Sequence, residues 1–147
     1  ISGSIVTDGQ YIYFGSSDYH MYCYSLTSNP VWNTVTQGIM VLPPVLAGDT
    51  LYADLAGGGL VSLARKNGSI NWTNPAIRAF VAAGSVRVFA LAGTENAAEL
   101  WVLDSATGTP TAVFNAGEFA FAPRNLSGDG VVFLVSKTGR MLCLRAK

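Results

Sequence analysis

The chain has 147 residues, a mass of 15.5 kDa, 9 basic and 9 acidic side chains, and so no formal net charge. Balanced charge argues against an electrostatic nucleic-acid binder, and the lack of any run of about 18 apolar residues argues against a transmembrane segment. Half of the residues are hydrophobic and only 12% are charged, against roughly 25% in an average soluble domain, which excludes intrinsic disorder.

Helical spacing is scarce, whereas glycine, aromatic and β-branched residues predict short strands joined by tight turns. In chain order, four segments share one shape: Thr7 to Trp32, Ala47 to Trp72, Ala83 to Phe114, and Ser127 to the end. Aligned on the first unit's MYCYS string, they start at Met21, Leu60, Leu100 and Met141, with steps of 39, 40 and 41 residues. Each unit opens with a turn signal: Asp8-Gly9, Gly48-Asp49, Gly84-Ser85 and Asp129-Gly130. An apolar strand follows, with Tyr13, Tyr52, Phe89 or Phe133 at the equivalent place. A polar hairpin turn and a second apolar strand come next. A second turn is clearest at Lys66-Asn67-Gly68 and Ala106-Thr107-Gly108, and a short Trp-bearing strand closes the first two units.

Apolar segments ahead of the turn signals predict one more strand per unit, at Gly3 to Thr7, Val41 to Ala47, Ala79 to Ala83 and Phe119 to Leu126. A period of about 40 residues with four short antiparallel strands is the signature of a β-propeller blade. The predicted fold is therefore all-β, with blades at about 1–37, 38–76, 77–116 and 117–147, the last lacking its outer strand. A blade must stack on its neighbours to bury both faces of its sheet, which also accounts for the low charge.

The strings YIYFGSSDYHMYCYSL, SLARKNGSINW and VLDSATGTPTAVF resemble the repeat of the pyrroloquinoline-quinone-like (PQQ-like, quinoprotein-type) β-propellers. The resemblance implies a tryptophan-docking motif, from a small residue through a frequent Asp to a Gly and then a Trp. Ser62, Ala64, Gly68 and Trp72 fit it. In the third unit Val102, Asp104 and Gly108 fit, with Ala112 in the Trp place and Phe114 as a partial substitute. Cys23 and Trp32 fit with one residue fewer and Ser28 for Gly, and Cys143 opens the fourth copy. Each Trp is expected to lie over the glycine turn of a neighbouring blade, its indole N–H on a backbone carbonyl.

Rings of this family usually have about seven or eight blades. The resemblance therefore implies that more chain, a second copy or a protein partner completes the ring. A self-closed four-bladed ring is the alternative. The chain begins at Ile1 rather than Met, so upstream residues are expected to be missing.

Candidate chemistry is sparse. Cys23 and Cys143 are either small packing residues or, in a closed ring, a disulfide; they are not the adjacent pair of quinoprotein alcohol dehydrogenases. His20, the only histidine, is expected in a solvated turn. Ala56 to Gly59 lacks the GK[ST] of a phosphate loop and reads as a hairpin turn. Glu95 and Glu99 fall in an insertion expected to form a longer exposed hairpin, and Lys137 and Arg140 read as a solvated rim.

No catalytic, cofactor-binding or metal-binding residue is assigned. The expected role is a non-catalytic protein-interaction or assembly scaffold, with no cofactor. The resemblance extends to envelope factors that help insert outer-membrane proteins and implies a bacterial periplasmic, envelope or secreted location. The alternatives are a fragment of a quinone-dependent dehydrogenase, with PQQ and a metal ion, and a carbohydrate-binding module using Tyr11, Tyr19 or Trp101.

Overall fold

Alternation of apolar side chains along each short strand sets which face of each sheet is buried. In the computed structural model, residues 5–40, 42–94, 96–119 and 121–145 are described. The predicted features at Gly3, Val41, Glu95 and Lys147 lie outside these residues. The first sheet holds β1 (Val6–Thr7), β2 (Tyr11–Gly15), β3 (His20–Ser25) and β4 (Pro30–Val35) in that order. The second holds β5 (Val45–Ala47), β6 (Thr50–Asp54), β7 (Leu60–Ala64) and β8 (Ile70–Asn74). The third holds β9 (Ile77–Ala83), β10 (Arg87–Thr94), β11 (Ala97–Asp104) and β12 (Pro110–Asn115). Among the described residues the fourth has two strands, β13 (Val131–Val135) and β14 (Met141–Arg145). All neighbouring strands pair antiparallel. The fold is an open β-propeller of about four blades.

The core lies in three layers between sheets. Tyr13, Met21 and Cys23 of the first sheet meet Leu51, Ala53, Val61 and Leu63 of the second. Tyr52, Leu60 and Trp72 of the second meet Phe80, Val88, Ala90 and Leu103 of the third. Phe89, Leu100 and Val102 of the third meet Val132 and Leu134 of the fourth. Odd and even positions along β2 and β3 thus serve opposite faces, as a pleated strand requires. Close packing reaches the backbone at Gly15, where any Cβ would overlap the Met40 side chain.

Two expectations about elements are corrected. Among the described residues of the span Phe119 to Leu126 no strand forms; their ladder contact is the bridge from Phe121 to Val135. Pro123 has no N–H to give a ladder, and Asn125 spends its side chain on the backbone of Val131 and Ser127. His20 is not in the turn but is the first residue of β3. The turn ends at Tyr19, which takes the left-handed φ of 67°.

The terminal sheets leave one face each without a neighbour. On the first sheet, Phe14 stacks on Tyr22 and Tyr24 at 5.4 and 5.8 Å between ring centroids, and all three are half-buried. On the fourth, Met141 is 68% exposed. The chain is an arc rather than a self-closed four-bladed ring.

Candidate functional site

At the first two junctions, tryptophan-bearing outer strands meet the glycine turns of the next blade at the outer rim. In the first blade, Cys23 is paired across the ladder with Tyr13 on one side and Trp32 on the other. Trp32 reaches the second blade, where its Nε1–H donates to the Arg65 carbonyl at 3.1 Å. Thr34 Oγ1 donates to the Gly68 carbonyl at 2.6 Å. The Trp32 ring lies on Gly68, whose φ of 72° is left-handed, so a Cβ there would both strain the backbone and overlap the indole.

The second junction repeats this geometry. Ser62 pairs with Tyr52 and Trp72. Trp72 Nε1–H donates to the Ser105 carbonyl at 2.9 Å, Asn74 Nδ2 donates to the Gly108 carbonyl at 3.0 Å, and the ring lies on Gly108. Asp104 holds the receiving turn, accepting from the N–H groups of Ala106 and Thr107 at 2.9 Å each. The Thr107 amide and hydroxyl are the main cause that keeps its carboxyl below the ordinary value. In the first blade, Ser28 stands in the glycine place and takes φ 64° itself.

The third junction departs from the pattern. Val102 pairs with Phe89 and Ala112, so the row ends on a methyl group instead of an indole. Phe114 does not substitute for the tryptophan: it is 55% exposed. A groove of about 900 Å³ opens here between Val102, Ala112 and Phe114 on one wall and Leu134, Leu142 and Leu144 on the other.

The two cysteines are both free and differ in setting. Cys23 is buried between sheets, and burial, with Asp8 nearby, pushes its thiol up to about 11. Cys143 is exposed, which corrects the expectation of a small buried residue. The reason is that no sheet covers its face. No disulfide joins them.

A buried ion pair escaped the sequence reading. Arg124, in the segment before β13, lies 3.3 Å from Asp54 of the second blade, donates to the Pro43 carbonyl at 3.0 Å and sits over the Phe80 ring. Asp54 also accepts from the Phe80 N–H at 2.7 Å. The pair is a charge contact rather than a hydrogen bond, since the facing Asp54 Oδ2 and Arg124 Nη2 have no hydrogen-bond partner. Burial raises the Asp54 carboxyl, only partly opposed by the Phe80 amide and Arg124. One side chain of the fourth blade thereby contacts the second and third. Nothing in the local sequence singles Arg124 out.

The remaining candidates separate. Trp101 is half-buried on the second core layer, and its Nε1–H donates to Glu99 at 2.7 Å. Tyr11 packs on the first layer and Tyr19 is an exposed turn residue, so the three do not form one sugar-stacking platform. Arg140 pairs with Glu118 and lies over the Phe119 ring, so it is more than a solvated rim. Among the described residues no three His, Cys, Asp or Glu side chains gather to hold a metal ion. The two cysteines lie apart, on the first and fourth blades, and Asp54 is engaged by Arg124 and the Phe80 N–H. No described helix is long and apolar enough to cross a membrane.

Repeated four-stranded antiparallel sheets, stacked through tryptophans on glycine turns, define a β-propeller of PQQ-like repeats. The profile of the family described as outer membrane protein assembly factor BamB matches residues 1–74, half of the chain, and the chain belongs to that family of PQQ-like repeat proteins. No curated protein matches the sequence. Among solved structures, BamB from Moraxella catarrhalis is similar with a TM-score of 0.71 at 16% identity over 98% of this chain and 49% of its own. The computationally designed Ika4 protein is similar with a TM-score of 0.73 at 15% identity, over 100% of this chain and 91% of its own. Quinohemoprotein alcohol dehydrogenase from Comamonas testosteroni gives 0.60 at 14% identity, over 78% of this chain and 21% of its own. These likenesses show the fold. The chain spans about half the length of the BamB structure it matches.

Proposed function

We propose that the chain acts as a non-catalytic scaffold for protein interaction and assembly, and that a second copy completes its ring. On this reading it carries no cofactor and works in the bacterial periplasm or cell envelope, as membership of a family described by an outer-membrane assembly factor supports. The observation that carries the reading is the pair of open terminal faces. Phe133 and Cys143 pair on the fourth blade as Tyr13 and Cys23 do on the first, where that face is covered by the next sheet. A face built like a buried one is one that more chain, a protein partner or a second copy can cover, and the second copy is the outcome tested here.

Two copies joined head to tail would supply eight blades, the upper end of the usual range of about 4–8. Size-exclusion chromatography with light scattering tests this. The expected mass is twice 15.5 kDa, falling to 15.5 kDa for Tyr24→Lys, which sets a charge on the open face of the first blade. A wild-type mass of 15.5 kDa at every concentration overturns it.

A further inference from the structure

The first two junctions share their tryptophan contact but differ where the first strand of each blade turns into the second. At the first junction, the Tyr13 hydroxyl donates to Asp8 Oδ2 at 2.8 Å. Arg65 of the second blade lies 3.6 Å from that carboxylate and 3.1 Å from Asp49. These side chains leave a cleft of about 240 Å³.

At the second junction the register puts Ala47 in the place of Asp8, because Asp8 follows the Thr7–Ile12 pair as Ala47 follows the Leu46–Leu51 pair. Ser105 takes the place of Arg65, since its carbonyl receives Trp72 as that of Arg65 receives Trp32. A carboxylate and a guanidinium are thus both cut back to small side chains, and a cavity of about 470 Å³ opens. That size suits a small-molecule site. Both blades that form it have all four strands, and Gly128 ahead of β13 lines one side.

The lining specifies the ligand. Tyr52 is 2% exposed, and Trp72 and Phe80 lie against its ring at 6.0 and 5.6 Å between centroids, so its hydroxyl is the part it offers. Burial raises that hydroxyl, and a hydrogen bond from Thr50 partly opposes this. Thr50 therefore donates, and the Tyr52 proton is left to give. Among the described residues no carboxylate stands where Asp8 serves Tyr13. Ser85 and Ser105 add hydroxyls to the walls, and Asp49 at the rim gives only Oδ1 to Arg65, which leaves Oδ2 to accept. No described Lys or Arg lines the cavity, so an anionic ligand meets no counter-charge there.

The geometry points to a binding site for a single neutral sugar unit between the second and third blades. One sugar oxygen accepts from the Tyr52 hydroxyl, where Asp8 accepts from Tyr13 in the first blade. Adjacent sugar hydroxyls donate to Asp49 Oδ2 and exchange hydrogen bonds with Ser85 and Ser105. The site lies away from the open terminal faces and holds whether or not the chain pairs with itself.

A heteronuclear NMR titration of the full chain tests it with methyl β-D-glucopyranoside and methyl β-D-galactopyranoside, and with sodium acetate as the anionic comparison. At least one glycoside is expected to give saturable shifts at the amides of Gly48, Gly84, Ser85 and Ser105, and acetate none. Tyr52→Phe, which keeps the ring packing, is expected to weaken binding about tenfold. Ala47→Asp combined with Ser105→Arg rebuilds the pair of the first junction inside the cavity and is expected to abolish the shifts while the thermal melt stays cooperative. Saturation by neither glycoside, acetate binding as tightly as the glycosides, shifts confined to other blades, or undiminished affinity in Tyr52→Phe overturns the proposal.

Discussion

At the first two junctions between blades, a tryptophan on one outer strand rests on a left-handed turn of the next blade and donates to its carbonyl. At the third junction an alanine stands in that place and a groove remains. The inner strands pack in the same way at all three, with continuous apolar layers. The difference teaches that the repeat has two separable parts. The inner layer stacks any two blades, and the rim tryptophan seals the join. Where the seal is missing, a charged pair near the inner strands, Arg124 with Asp54, ties the fourth blade back to the second.

The sharpest way to break this comparison is to remove the seal. Trp72→Ala deletes a side chain only 8% exposed and leaves the Ser105 carbonyl unpaired, and is expected to cost about 3–5 kcal/mol in denaturant unfolding. Phe114→Ala, at the unsealed junction, is expected to cost less than about 0.5 kcal/mol. Similar losses for the two would mean that the junctions are equivalent after all.

A smaller effect sharpens the role of the buried pair. Asp54→Asn keeps an acceptor for the Phe80 N–H but sets amide N–H donors against the Arg124 guanidinium in place of the carboxyl, at an expected cost of about 1–3 kcal/mol. The folded Asp54 carboxyl is raised above its ordinary 3.8, so its contribution is fully present below that pH and is lost as pH rises through the folded value. The advantage of wild type over Asp54→Asn should therefore narrow as pH climbs from about 4. Thermal melts of both proteins across this range check it, and an advantage that widens with pH contradicts the burial argument.

What was legible in the sequence was local or periodic. The aligned Met21, Leu60 and Leu100 each fall in the third strand of their sheet, Met141 falls in the second of the two strands described for the fourth, and the turn glycines fall where φ is left-handed, at Gly68 and Gly108. One repeat step fixes which turn each indole meets, that of Arg65 for Trp32 and that of Ser105 for Trp72. What escaped depends on distance or on neighbours. Arg124 finds Asp54 through the curvature of the arc, which no local pattern encodes. Phe119 to Leu126 is apolar enough for a strand, yet Pro123 and the side-chain bonds of Asn125 take its backbone elsewhere. Cys143 faces Phe133 as Cys23 faces Tyr13, but among the described residues it has no outer strand like that of Trp32 and no covering sheet, so identical residues at equivalent repeat positions differ in burial.

That last contrast gives the most direct measurement of the central claim, that the outer face of the fourth blade is a surface made to be covered. Alkylation of the two thiols is followed by mass spectrometry over a range of protein concentrations. In dilute protein, Cys143 should react fast and Cys23, buried with its thiol pushed up to about 11, slowly. As concentration rises, Cys143 should become protected while Cys23 stays unchanged. Equal reactivity of the two, or a Cys143 that remains reactive at every concentration, would contradict the account.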